Sequence, residues 1–305
     1  MRLRSNLIVL LGLGLMGAPA FAAGQATAEP ARPGTVNYVE GAAYLDGQPL
    51  NAKDVGSIGL DAGQELRTGT GKAEVLLTPG VFLRLGSNST VKMVSPDLTL
   101  TQVEIEKGRA GVEVDEIHEQ NNLQIVDAGV ATRLEKVGYY EFNADQPTAM
   151  VFKGKAEVEA GNGKTKEIKE HHELALISGS NSQTIASEKT ASFDTHASGD
   201  DLYNWSSLRS EYLAEANNQI AGQYGAAGYY PGWYWNPYMA GYTFIGGGPF
   251  YSPFGWGFYP FGWGGYYGFY GGRYYGRGGY YHGGVVAHGG FAGGGFHVGG
   301  GGGHR

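Results

Sequence analysis

Lys155–Glu170 reads KAEVEAGNGKTKEIKE. Ala156, Val158 and Ala160 alternate with Glu157 and Glu159, the period-two pattern of a strand with one face on a core and the other in water. Gly161-Asn162-Gly163 tolerates positive φ, and Lys164–Glu170 returns as a polar strand. The stretch therefore predicts an exposed β-hairpin.

The same texture extends outward. Val36–Val39, Ala73–Leu77, Val81–Leu85, Val91–Val94, Leu98–Thr101, Val103–Ile105 and Val112–Val114 are short β-branched or alternating runs, most of them separated by Gly, Asn, Asp or Pro. In LTLTQVEIEKG (98–108) the apolar phase slips between Leu100 and Val103, which places a bulge or bend near Gln102. Residues 34–186 thus predict one all-β domain, a stacked two-layer or solenoid-like arrangement of short strands. No run is long enough for a membrane barrel.

A Ser/Thr-rich connector (187–199) leads to one amphipathic helix at 200–222, capped by Asp200 or Asp201. Trp205, Leu208, Tyr212, Ala216 and Ile220 recur at three- and four-residue spacing, a stripe that would dock on the β-domain. After it, residues 223–305 read as a low-complexity tail expected to be disordered or to associate reversibly. Glycine keeps such a backbone mobile, while rings stack or meet an Arg face. Candidate contacts in the tail are Trp256, Tyr259, Trp263, Tyr266, Tyr267, Tyr270, Arg273 and Arg277.

Composition supports two unlike halves. The 305 residues include 54 Gly and 21 Tyr, concentrated after residue 223, where the only charges are Arg273, Arg277 and Arg305. With Arg2 and Arg4 also set aside, the net charge of −7 leaves about −12 for the body. So acidic a body is unsuited to nucleic acid, whose phosphates need clustered Lys and Arg. Arg2 and Arg4, the apolar run Leu7–Met16 and Ala20-Phe21-Ala22 match a secretory signal peptide, 1–22, cleaved after Ala22. A flexible leader, 23–33, would begin the mature chain, which then has no transmembrane segment. Absence of Cys excludes disulfides and thiol chemistry.

With the strands laid out, residues 34–179 resemble FecR-type extracytoplasmic domains. GQELRTG (63–69), AEVLL (73–77) and PGVFLRL (79–85) follow the family's order of a G-x-x-I/L-x-T-G turn, a strand, a D-G-S turn and a second strand. VEIEKGRAGVEV (103–114), VFKGKAEV (151–158) and Leu174–Gly179 are similar to its later strand pair, hairpin and closing element. The resemblance places turns at Gly63, Thr68, Gly69, Gly80, Gly108 and Gly154. Two positions depart from the pattern: Pro79-Gly80-Val81 stands for D-G-S, and Gly138–Phe142 for a G-T-x-F segment. Well-known relatives couple a cytoplasmic anti-sigma segment and a membrane helix to a periplasmic β-domain that hears an iron transporter. A cleavable leader in place of those first two parts carries over the β-module and its compartment, not the iron signalling.

Catalytic signals are weak. His171 and His172 are adjacent, so on a strand they would point to opposite faces and not share a metal. His118 and His196 lack sequence partners, no G-x-S-x-G elbow occurs, and TGTGK (68–72) precedes a strand rather than the helix of a phosphate loop. The tail histidines His282, His288, His297 and His304 are too irregularly spaced, in a glycine matrix costly to close, to favour a metal-ligand set. The expectation is a non-enzymatic, periplasmic or secreted envelope-binding or scaffold protein without cofactor or metal. Its partner would be a cell-envelope polymer or protein, or the tail of another copy. The alternative is an extracytoplasmic sensing module of FecR type that relays through a separate membrane partner.

Overall fold

The computed structural model describes residues 30–159, 165–178, 184–187, 189–195, 200–226, 228 and 230–260. The expected cleavage site at Ala20 and Ala22, the Gly161-Asn162-Gly163 turn, His196 and every tail candidate from Trp263 to Arg277 lie outside them.

The chain shuttles between two sheets. β1 (Val36–Glu40) opens the first, and β2 (Ala43–Leu45), β3 (Gln48–Pro49) and β4 (Glu65–Thr68) enter the second. β5 (Lys72–Leu76) and β6 (Val81–Leu85) return to the first, β7 (Thr90–Asp97) and β8 (Leu100–Lys107) to the second, and β9 (Arg109–Val114) to the first. β10 (Gln124–Asp127) and β11 (Val130–Leu134) alternate likewise with β12 (Gly138–Asn143) and β13 (Thr148–Lys153). Finally β14 (Lys155–Glu159) and β15 (Thr165–Lys169) join the second sheet, and β16 (His172–Ser178), β17 (Thr184–Ala186) and β18 (Ala191–Ser192) the first. The result is two stacked nine-stranded sheets, the all-β two-layer arrangement expected.

Every second residue faces between the sheets. Val75, Leu83, Val112 and Tyr140 from one sheet meet Leu66, Met93, Val103 and Val158 from the other, all buried. The opening hairpin behaves as its alternation predicts: Ala156 and Val158 are buried, and Ala156 pairs with Ile168. In β8 the expected phase slip is resolved differently. Thr101, Val103 and Ile105 all point inward, Leu98 and Leu100 stay exposed, and the irregularity sits in the partner strand between Met93 and Ser95, opposite Val103 and Gln102. Of the turn residues, Gly63, Gly80, Gly108 and Gly154 have positive φ. At Gly80 a Cβ would also lie 2.9 Å from that of Glu116, so the turn before β6 has room only for glycine. Gly69 donates its amide to the Ala42 carbonyl, and the Thr68 hydroxyl to that of Gly86.

Asp127 ends β10 on the core face, fully buried, with neither carboxylate oxygen hydrogen-bonded among the described residues. Burial pushes its carboxyl up to about 6. A carboxyl raised on folding is harmless when protonated and costs stability as pH rises from its unfolded value through 6. Asp127→Asn is therefore expected to stabilise by about 2 kcal/mol at pH 8, with the gain vanishing below pH 4. Urea denaturation at both pH values checks this; a pH-independent difference rules it out.

α1 (Asp201–Ala226) lies on the outer face of the first sheet. Asp200 caps it, its Oδ1 accepting from the Leu202 and Tyr203 amides at 3.0 Å. The anticipated stripe is only half right. Trp205, Ala216 and Ile220 are buried, but Leu208 and Tyr212 are exposed at 44% and 53%. The docked face instead runs through Ser206, Arg209, Ser210, Leu213 and Asn217, because the sheet beneath offers polar partners.

The largest correction concerns the tail. Residues 230–260 fold into two hairpins, β19 (Gly232–Asn236) with β20 (Gly241–Ile245), and β21 (Phe250–Tyr251) with β22 (Gly257–Phe258). β20 is buried along its whole length. Its Phe244 joins Leu76 and Phe82 of the sheet and Leu213 of α1 in a second core, with Trp233 edge-on to Phe82 at 4.9 Å. Here Trp233 and Trp235 alternate with Tyr234 along β19, and Tyr242 and Phe244 with Thr243 along β20. The disorder expected from residue 223 onward is therefore overturned for residues 230–260, and residues 261–305 lie outside the described residues.

Candidate functional site

The platform under α1 is a row of buried charges on the outer face of the first sheet. Glu74, Arg84 and Glu113 occupy neighbouring positions on β5, β6 and β9, each with no exposed surface. Arg84 Nε donates to Glu74 at 2.8 Å, and its Nη1 binds Glu113. From the helix, Arg209 donates to Glu74 at 2.9 Å and Ser210 to Glu113 at 2.6 Å. Asn37 completes the row: its amide donates to Glu74 and to the Tyr242 carbonyl, and its Oδ1 accepts from the Tyr242 amide. One side chain thus ties β1, β5 and β20 together.

These contacts set the protonation states. Burial alone would raise the Glu74 carboxyl, but Arg209 and Arg84 outweigh it and hold it at about 2. Burial would likewise lower Arg84, and Glu113 and Glu74 reverse that. Next to Glu113, Asp115 is buried without a hydrogen-bond partner for either oxygen among the described residues. Burial and the Glu113 charge push it well up. At the far end burial raises Glu141 despite the Arg109 guanidinium, and Tyr139 donates to Glu141 at 2.8 Å. These groups clamp α1 to the sheet, and one of them, Arg209, also lines a surface groove.

What α1 presents to solvent is a ridge flanked by two grooves. On one side, about 290 Å³ is enclosed by Tyr38, Arg209, Gln219, Tyr238 and Met239. On the other, about 340 Å³ lies between Glu211, Asn218, Trp256 and Tyr259. Tyr212 and Glu215 line both. The walls are fixed from below. Arg209 stacks on the Tyr38 ring at 4.0 Å, Asn236 Oδ1 accepts from the Tyr238 amide at 2.8 Å, and Trp256 donates its indole N–H to the Ser207 carbonyl at 3.0 Å. Tyr238 and Tyr212 remain 81% and 53% exposed.

Two expected tail contacts fall in this region. Trp256 is half-buried as a groove wall, and Tyr259 is buried, its amide donating to Asn217 Oδ1. A larger polar groove of about 500 Å³ lies at the end of the sandwich among Ile117, His118, Arg133, Lys136 and Lys155. Its Arg133 and Lys155 are tied to Glu135. His118 pairs with Glu116 at 2.8 Å, and His171, in a left-handed turn, lies beside Glu170.

No family model matches the chain. No curated protein matches it either. Two crystal structures of a candidate anti-sigma factor from Parabacteroides distasonis, at 2.50 and 1.65 Å resolution, are similar in part. Each has a TM-score of 0.34 and 15% identity, and the match spans 40% of this chain and 58% of that one.

The charge row and Tyr212 were not singled out as functional in the sequence. Alternating charges on β5, β6 and β9 look the same whether they meet water or a polar cap. Their one signal is Arg209, a lone cation amid the helix's acidic and neutral residues.

Proposed function

We propose that the chain is a non-enzymatic, exported cell-envelope binding or scaffold protein whose contact surface is the aromatic ridge of α1 and the C-terminal hairpins. The observation that carries this reading is the pair of tyrosines, Tyr212 and Tyr238, held exposed over anchored backbone. Exposed rings on a rigid base give contact area at little entropic cost. The export leader read from residues 1–22 and the resemblance of residues 34–179 to FecR-type domains support the compartment. The Gly/Tyr-rich residues 261–305 would add weak contacts of the same chemistry.

Sedimentation with isolated bacterial envelope tests it, using the full chain and one ending at Pro260. The full chain is expected to co-sediment. Retention by the shorter chain assigns the contact to the α1 surface, and loss assigns it to residues 261–305. If neither sediments, the reading fails; if each retrieves one defined membrane protein, the relay role replaces it.

A further inference from the structure

We propose that the two grooves flanking Tyr212 form one binding site for a neutral polysaccharide strand, which crosses the ridge with a sugar ring stacked on Tyr212. The inference rests on the envelope-binding reading above and names its ligand class.

Three observations converge on it. First, the rings are arranged for stacking across a ridge. Tyr212 stands between the grooves, with Tyr238 and Met239 walling one and Trp256 the other. Each groove lies near or just below the small end of ligand-pocket volumes, which suits one or two ring-sized units rather than a folded domain. Flat faces with polar edges match the C–H face and hydroxyl rim of a pyranose.

Second, one residue lining each groove carries a buried polar atom without a partner among the described residues, and the two are of opposite kind. Arg209, only 4% exposed, has a free Nε–H donor, and Asn218 has a free Oδ1 acceptor. Buried polar atoms left unmatched are costly, so each marks a position that a ligand group or water would satisfy. A hydroxyl both donates and accepts, so one polyol chain can serve the two grooves.

Third, the charges select against polyanions. Glu211 and Glu215 are exposed on the ridge, and the one cation among the described residues lining the grooves, Arg209, is committed to Glu74. Nucleic acid or an anionic polymer would meet repulsion with no cation to offset it. A neutral glycan meets none.

The test uses the full chain, with cellohexaose and the hexamer of N-acetylglucosamine as probes, by isothermal titration calorimetry. Binding of at least one probe is expected. Tyr212→Ala is expected to weaken it about tenfold, as for loss of a central aromatic contact. Tyr212→Phe, which keeps the ring, should bind as the parent does, and Tyr251→Ala, an exposed ring outside both grooves, should change nothing. Since Tyr212 is half exposed, its loss should leave the melting temperature unchanged, so weakened binding cannot be blamed on unfolding. Equal binding by Tyr212→Ala overturns the site. If neither hexamer binds while the full chain still sediments with envelope, the glycan inference fails and the envelope reading survives. If both assays are negative, both fall.

Discussion

A chain ending at Gly228 is expected to lose its cooperative unfolding transition, whereas one ending at Pro260 keeps it. The first cut leaves α1 whole but removes both hairpins. Tyr242, Phe244 and Phe258 leave the second core, and Leu76 and Phe82 are uncovered. Each such side chain is worth about 1.5–3 kcal/mol of burial. The cut also strips partners from polar groups that stay behind. Asn37 loses the Tyr242 backbone, Asn217 loses the Phe244 carbonyl and the Tyr259 amide, and the Leu213 carbonyl loses the Thr243 hydroxyl. Water replaces these partners, so each loss costs the net worth of a protein hydrogen bond, about 0.5–1.5 kcal/mol. Even after the chain entropy recovered by the deleted residues, the loss is on the order of 5–10 kcal/mol, comparable to the whole stability of an ordinary domain. The Pro260 cut spares every contact named above. Scanning calorimetry of the two truncations decides the matter: a Gly228 chain that melts like the parent would make the hairpins ornamental.

That result also explains what could and could not be read from the residues. KAEVEA was legible because one of its faces meets core and the other meets water, so polarity reports position. On β5, β6 and β9 the same rule misleads. Glu74, Arg84 and Glu113 alternate with apolar residues as solvent-facing groups would, yet they are buried because α1 brings Arg209 and Ser210 to them. Polarity reports solvent only where no polar cap is present. The helix stripe failed for the complementary reason: counting apolar residues selects Leu208 and Tyr212, while the docked face is partly hydrophilic. In the C-terminal hairpins the alternation of Trp233 and Trp235, and of Tyr242 and Phe244, was masked by the ring-and-glycine composition around it. GYTFI (241–245) and the Asn236-Pro237 turn were the available signals. The grooves beside Tyr212 depend on those hairpins, so the candidate site could not be seen before they were placed.

Arg84→Met is expected to destabilise the protein by about 4 kcal/mol at pH 8, a fall of roughly 10 °C in melting temperature. Methionine fills much of the arginine stem's space, so the loss is electrostatic rather than a cavity. Glu74 keeps one cation, Arg209, but Glu113 is left with the Ser210 hydroxyl alone among its partners in the described residues. A buried carboxylate stripped of its counter-charge either stays ionised at great cost or takes up a proton. The pH dependence separates this from a packing defect. In the parent, Glu74 is depressed to about 2, so its contribution is complete above its unfolded value and is lost as pH falls through 2. In the variant the buried acidic row has lost a counter-charge, and lowering the pH relieves the excess negative charge, so the deficit should shrink between pH 8 and pH 5. Asp115, already pushed up by burial and Glu113, loses the attraction of Arg84 and moves further in the same direction. Adding Glu113→Gln to Arg84→Met should recover part of the loss at pH 8 and little at pH 5. Guanidinium denaturation of the single and double variants at the two pH values reads all of this. A deficit below about 1 kcal/mol, or one equal at both pH values and untouched by Glu113→Gln, would show that the buried row does not hold α1 in place by charge.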